Sequence, residues 1–294
     1  MKERENRYPY HIRDVHISDP FIFADSDYWA PELHLWKGRY YLISSFRARG
    51  RYRGCQCLVS DSPRGPFLPV GDGPVTPKGW HCLDGTLYVD RHDKPWMVFC
   101  HEWLQVYDGQ ICAIPLNEEL SGAIGDPVIL FRASDGPWTA KGGVSGGYVT
   151  DGPFLYRLKS GVLLMLWSSF SPGGGYTTGY ARSLSGEIQG PWVQHPQPLY
   201  ALDGAHSMLF CTFGGELMMS LHCPNRHADK RILLFEMEES LDGLHIVNEA
   251  TGNWYHAVGG VAKDYAYPTP CVEEPCFRVD PRAGKEGGAE ERKG

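Results

Sequence analysis

Three short acidic phrases stand in front of strand-forming runs: SDP at Asp19, LDG at Asp84 and TDGP at Asp151. Three carboxyl groups converging on an aromatic-lined pocket are the inventory that glycoside hydrolysis needs. One, protonated, donates to the leaving oxygen, and a second, ionised, activates water on the opposite face of the sugar. A third can orient the donor and raise its pKa by like-charge repulsion. Each phrase also has a plainer reading, since Asp-Pro and Asp-Gly open turns without any catalytic purpose.

Other chemistry-bearing residues are less organised. His206, in GAHSMLF, is read equally as a site residue or as a satisfied buried histidine. His81, His101 and His222 have no metal-ligand spacing and read as structural. Among nine cysteines, Cys55 and Cys57 share a face if they lie on a strand, but no second close pair completes a ligand set. Reduced, buried thiols are expected.

The acids can meet only if the chain brings distant segments together, and a repeat supplies the means. One unit recurs: a short strand, a turn with glycine, a very apolar strand, and a later strand closing on Ser and Gly-Pro-aromatic. Its copies open with WAPELHLWKGRYYLISSF from Trp29, LDGTLYVDRHDKPWMVFCHEW from Leu83, TDGPFLYRLKSGVLLMLWSSF from Thr150 and GAHSMLFCTFGGELMMSLHCPN from Gly204. The paired runs are short, rich in β-branched and aromatic residues, and bounded by turn residues, which predicts strands. Serial units of this kind predict an all-β propeller, whose inner strands surround a common channel. A β-sandwich of hairpins is the alternative. Blade openings are expected near residues 19, 29, 84, 151 and 204, in a single domain over 1–279. The charged, small-residue segment 280–294 reads as a disordered tail.

Composition narrows the partners. The 294 residues carry a net charge of -7, which leaves no basic footprint for nucleic acid. No apolar run is long enough to span a membrane, and the N-terminal charges are not followed by a secretory apolar stretch, so a cytoplasmic location is expected.

The phrases DPFIFAD, YWAPELHLWKGRYYLISSF, LDGTLYVDRHDKPWMVFCHEW, TDGPFLYRLKSGVLLMLWSSF and GAHSMLF, in that order, resemble glycoside hydrolase family 43. The resemblance implies a five-bladed propeller and an inverting mechanism on α-L-arabinofuranosyl or β-D-xylosyl linkages of plant-derived oligosaccharides. It implies Asp19 as general base, Asp84 as the residue that tunes and orients the donor, and Asp151 in the general-acid position, with Glu102 a second candidate for that role. Trp29, Glu102, Trp103 and His206 are implied to contact the sugar, although core packing accounts equally well for the two tryptophans. No cofactor is implied beyond a possible structural calcium.

Two departures stand out. The family's usual acid is Glu, and Asp151 is shorter by about 1.5 Å. Asp19 and Trp29 are ten positions apart, too few for the four strands of a blade, so most of one blade is expected to be missing. A carbohydrate-binding propeller with impaired catalysis is therefore a second reading, and a scaffold unrelated to sugars a third.

Overall fold

The computed structural model describes residues 27–47, 50–143, 146–225 and 230–249. Asp19 and the segment 280–294 lie outside the described residues. Four four-stranded antiparallel sheets follow one another, each in chain order. The first holds β1 (Asp27–Trp36), β2 (Arg39–Arg47), β3 (Gly54–Ser60) and β4 (Leu68–Pro69). The second holds β5 (Cys82–Val89), β6 (Pro95–His101), β7 (Gln110–Pro115) and β8 (Val128–Arg132), with the one-turn helix α1 (Trp103–Val106) between β6 and β7. A two-residue pairing of β9 (Lys141–Gly142) with β10 (Gly147–Tyr148) precedes the third sheet. That sheet is β11 (Asp151–Arg157), β12 (Leu163–Phe170), β13 (Tyr176–Ser183) and β14 (Trp192–Gln194), and the fourth is β15 (Ala205–Cys211), β16 (Leu217–Cys223), β17 (Arg231–Glu239) and β18 (Leu244–Glu249).

The first strand of each sheet lies against the first strand of the next: β1 against β5, β5 against β11, and β11 against β15. The sheets are thus blades of a propeller with those four strands innermost. The hairpins expected from the sequence are present as β5–β6, β11–β12 and β15–β16. With four blades among the described residues, the arrangement agrees with a five-bladed plan that lacks one blade.

Apolar faces of consecutive blades make the core. Ile43, Cys55 and Cys57 of blade 1 pack on Met97, Phe99 and Ile114 of blade 2. Cys55 and Cys57 share this buried face, as their spacing in β3 requires. Val98, Ile111 and Phe131 of blade 2 pack on Met165, Trp167 and Ala181 of blade 3. Leu164, Leu166 and Tyr180 of blade 3 pack on Met219, Leu233 and Phe235 of blade 4. Strands buried on both faces lose the apolar–polar alternation: every residue of β6 and of β12 is buried. Among the described residues no apolar cluster joins blade 4 to blade 1.

Candidate active site on the inner strands

All four inner strands carry the same irregularity. Their pairing shifts by a bulge between Trp29 and Glu32, Leu83 and Thr86, Asp151 and Phe154, and Ala205 and Met208. At each bulge one residue adopts a left-handed backbone: Ala30 (φ 47°), Asp84 (φ 53°), Gly152 (φ 53°) and His206 (φ 55°). This conformation is costly for most residues but better tolerated by Asp and His, and bulges commonly re-aim side chains beside active sites. The acidic phrases were expected at equivalent places. The structure corrects this by one residue: Asp84 matches Gly152 and His206, whereas Asp151 precedes its bulge and matches Trp29, Leu83 and Ala205.

The offset lets the two acids meet. The Gly152 N–H donates to Asp84 Oδ2 at 2.8 Å, fastening the acid of blade 2 to the residue after Asp151. A Cβ on Gly152 would come within 2.9 Å of Cγ of His206, so glycine is required there for space as well as for φ. The bulges are anchored across blades. The Asp84 N–H donates to Ser45 Oγ at 2.8 Å and the His206 N–H to Ser168 Oγ at 3.1 Å. His206 Nδ1 lies 3.6 Å from Asp84 Oδ2. The Tyr176 hydroxyl donates to Asp151 Oδ2. Burial pushes the Asp151 carboxyl well above the ordinary carboxylate range and the charge of Asp84 adds to this, against smaller opposing effects from the Tyr176 hydrogen bond and His206. A carboxyl whose pKa is raised, beside a second carboxyl fixed by a backbone amide, has the chemistry that a proton donor and an orienting partner need.

A family profile, "Glycosyl hydrolases family 43", matches residues 15–245. The chain belongs to glycosyl hydrolase family 43. Its structure is similar to that of an endo-arabinase from Bacteroides thetaiotaomicron, at 44% identity and a TM-score of 0.72, over 76% of this chain and 81% of that one. It is also similar to a thermostable family-43 glycoside hydrolase (21% identity, TM-score 0.65, 76% and 75% covered). A third likeness is to an endo-1,4-beta-xylanase from Bacteroides thetaiotaomicron (20% identity, TM-score 0.61, 76% of each chain). The latter two, at such identity, speak to the fold alone. No curated protein matches the chain.

The remaining site residues of this family 43 hydrolase fall into distinct settings. Trp29 is 36% exposed at its inner-strand position, with Cζ of Arg53 3.6 Å from its ring centroid. Trp103 opens α1 and is partly buried against Val149, Phe170, Tyr176 and Ala205. Its indole N–H is buried with no hydrogen-bond partner among the described residues. Glu102 was expected to line the pocket or serve as a second donor. In the structure Glu102 is 1% exposed, paired with Arg53, and its other oxygen lies 3.5 Å from His81 Nδ1. A carboxylate so enclosed supports the side chains it is paired with.

His101 is hydrogen-bonded to Gln105 and Gln110, and His222 to Asn225. Among the described residues no group of three or more His, Cys, Asp or Glu is placed to hold a metal ion. Around His206 the near carboxylate oxygen of Asp84 is already engaged by Gly152.

Sequence reasoning missed Tyr176 and Arg53. Tyr176 lies 25 residues from Asp151 and Arg53 lies 49 from Glu102. Neither sits in an acidic phrase, and their pairing appears only once adjacent strands and blades are assembled.

Proposed function

We propose that this chain is an inverting glycosidase acting on α-L-arabinofuranosyl linkages of plant-derived arabino-oligosaccharides. The observation that carries the reading is the meeting of two inner-strand acids in a family 43 chain: the amide next to Asp151 is bonded to Asp84, and burial and the Asp84 charge push the Asp151 carboxyl well above the usual carboxylate range. The choice of arabinofuranosyl over β-D-xylosyl linkages is supported by the 44% identity to the endo-arabinase structure.

The proposed reaction is a single displacement. Asp151 gives its proton to the glycosidic oxygen as the bond from that oxygen to the anomeric carbon breaks. Water forms the new bond from the opposite face and gives its proton to a general base, a role the family resemblance assigns to Asp19. Asp84 orients Asp151 through the Gly152 amide. Trp29 and Trp103 offer aromatic surface to the apolar side of the sugar ring.

The test is proton NMR of the products as they form, with linear arabino- and xylo-oligosaccharides as substrates. Arabino-oligosaccharide is expected to release the β-anomer first and to react faster than its xylo counterpart. Asp84→Ala is expected to lose at least about 100-fold in rate, within the range typical of acid–base machinery. Equal rates in wild type and Asp84→Ala would sink the mechanism. Calorimetric binding without turnover would replace it with a carbohydrate-binding role, a reading favoured by the shorter reach of Asp where the family has Glu.

A further inference from the structure

Arg53 takes no part in the acid chemistry above, yet it is one of the largest fully buried side chains of the protein, 1% exposed. A guanidinium removed from water is costly unless charge and contact compensate. The compensation is two-sided. Nη1 bonds to Oε1 of the equally buried Glu102, and the Trp29 ring lies 3.6 Å from Cζ, a cation stacked on an indole face.

The arrangement spans two blades. Trp29 lies on β1 and Arg53 immediately precedes β3, whereas Glu102 follows β6. The main chain makes the same tie, because the Cys82 N–H of blade 2 donates to the Arg53 carbonyl at 2.9 Å. Glu102 is itself anchored, its N–H donating to the His81 carbonyl at 2.8 Å. Trp29 occupies the inner-strand position that Asp151 occupies in blade 3, and part of its indole stays exposed. One side of the ring thus rests on a fixed, charged plate, and the exposed part lies at the level of the acid.

We propose that Arg53, braced by Glu102, is a positioning residue that holds the Trp29 indole as the sugar-stacking platform of the active site. The inference rests on the glycosidase reading given above. Stacking of a sugar on an aromatic ring depends on the angle of the ring, and a planar guanidinium fixes that angle where an ammonium cannot. Arg53 therefore contributes to substrate binding without touching substrate.

Two readouts test this. In the first, Trp29→Ala, Arg53→Met, Arg53→Lys and the Trp29→Ala/Arg53→Met double variant are assayed on a linear arabino-oligosaccharide. Arg53→Met and Arg53→Lys are expected to raise KM about tenfold with kcat within about threefold, the signature of lost uniform binding. The double variant is expected to be no worse than Trp29→Ala alone, since no platform remains to be positioned. KM increases that multiply in the double variant would overturn the proposal, as would an unchanged KM in Arg53→Lys.

The second readout needs no turnover. Acrylamide quenching of the Trp29 fluorescence, isolated by subtracting a Trp29→Phe variant, is expected to increase in Arg53→Lys. Quenching equal to wild type would overturn the proposal. Should the wild type hydrolyse no arabino- or xylo-oligosaccharide, the glycosidase reading fails by itself and quenching still decides the position of the ring. If Arg53→Met does not fold, Arg53→Lys and Glu102→Gln carry both measurements, with the same outcomes expected and the same ones overturning.

Discussion

The side chain of Asp151 sits between opposing influences, and their balance sets its behaviour. Burial and the Asp84 charge favour the neutral acid, whereas the Tyr176 hydroxyl and His206 favour the carboxylate; the first pair prevails. The sign of the pH effect follows. In the unfolded chain the carboxyl ionises near its ordinary value of about 3.9. The folded protein keeps the proton to higher pH, so ionisation favours the unfolded chain, and stability falls as pH rises from about 4 through the raised pKa. Asp151→Asn preserves an acceptor for Tyr176 and removes the ionisation. Its melting temperature is therefore expected to rise relative to wild type as pH goes from 4 to 7; a difference that stays constant or shrinks would contradict the raised pKa. The same variant tests the donor role. Loss of about 100-fold or more is expected on oligosaccharides, whose leaving oxygen needs a proton, with a much smaller loss on a dinitrophenyl arabinofuranoside, whose leaving group does not. Similar losses on both substrates would remove Asp151 from that role.

The bulged inner strand is the element on which these residues depend, and it was only partly legible in the sequence. Blade order, the inner hairpins and the convergence of Asp84 with Asp151 follow from the repeated pairing of apolar runs across glycine turns. The bulge does not, because no residue type recurs at its left-handed position: Ala30, Asp84, Gly152 and His206 stand there in turn. Aligning phrases by their acids therefore placed Asp151 one residue out of register. The burial of Glu102 was not legible either, since it depends on Arg53, 49 residues away, being folded beside it. Gly152 shows what the element demands. Gly152→Ala adds a left-handed strain and a Cβ that collides with His206, together about 1–3 kcal/mol. A melting temperature lower by several degrees and a loss of activity are expected, the second because the amide holding Asp84 must shift. A Gly152→Ala protein with wild-type melting and rate would mean that the bulge does not set the acid pair.

At the scale of the whole molecule, the blades are unequally supported. Blades 2 and 3 are packed on both sides by apolar clusters, whereas blades 1 and 4 share such a cluster with one neighbour each among the described residues. The exposed leucines Leu33 and Leu35 of β1 belong to an end blade. Local opening costs least where few buried contacts are lost, and costs nearly the global free energy where a strand is buried on both faces. Hydrogen exchange read by mass spectrometry should therefore grade along the propeller. Peptides covering β6 and β12, buried at every residue, are expected to keep their amide protons longest, and those covering β1 and β18 to exchange earliest. The grading has a functional side, because Asp84 and Asp151 lie on the inner strands of the two central blades while Trp29 lies on an end blade. The acid pair is thus set in the most strongly held part of the ring. The proposed sugar platform, Trp29, lies on a blade that shares an apolar cluster with one neighbour among the described residues, where a brace such as Arg53–Glu102 has the most to contribute. Uniform exchange across the four blades, or fastest exchange in β6 and β12, would refute this division.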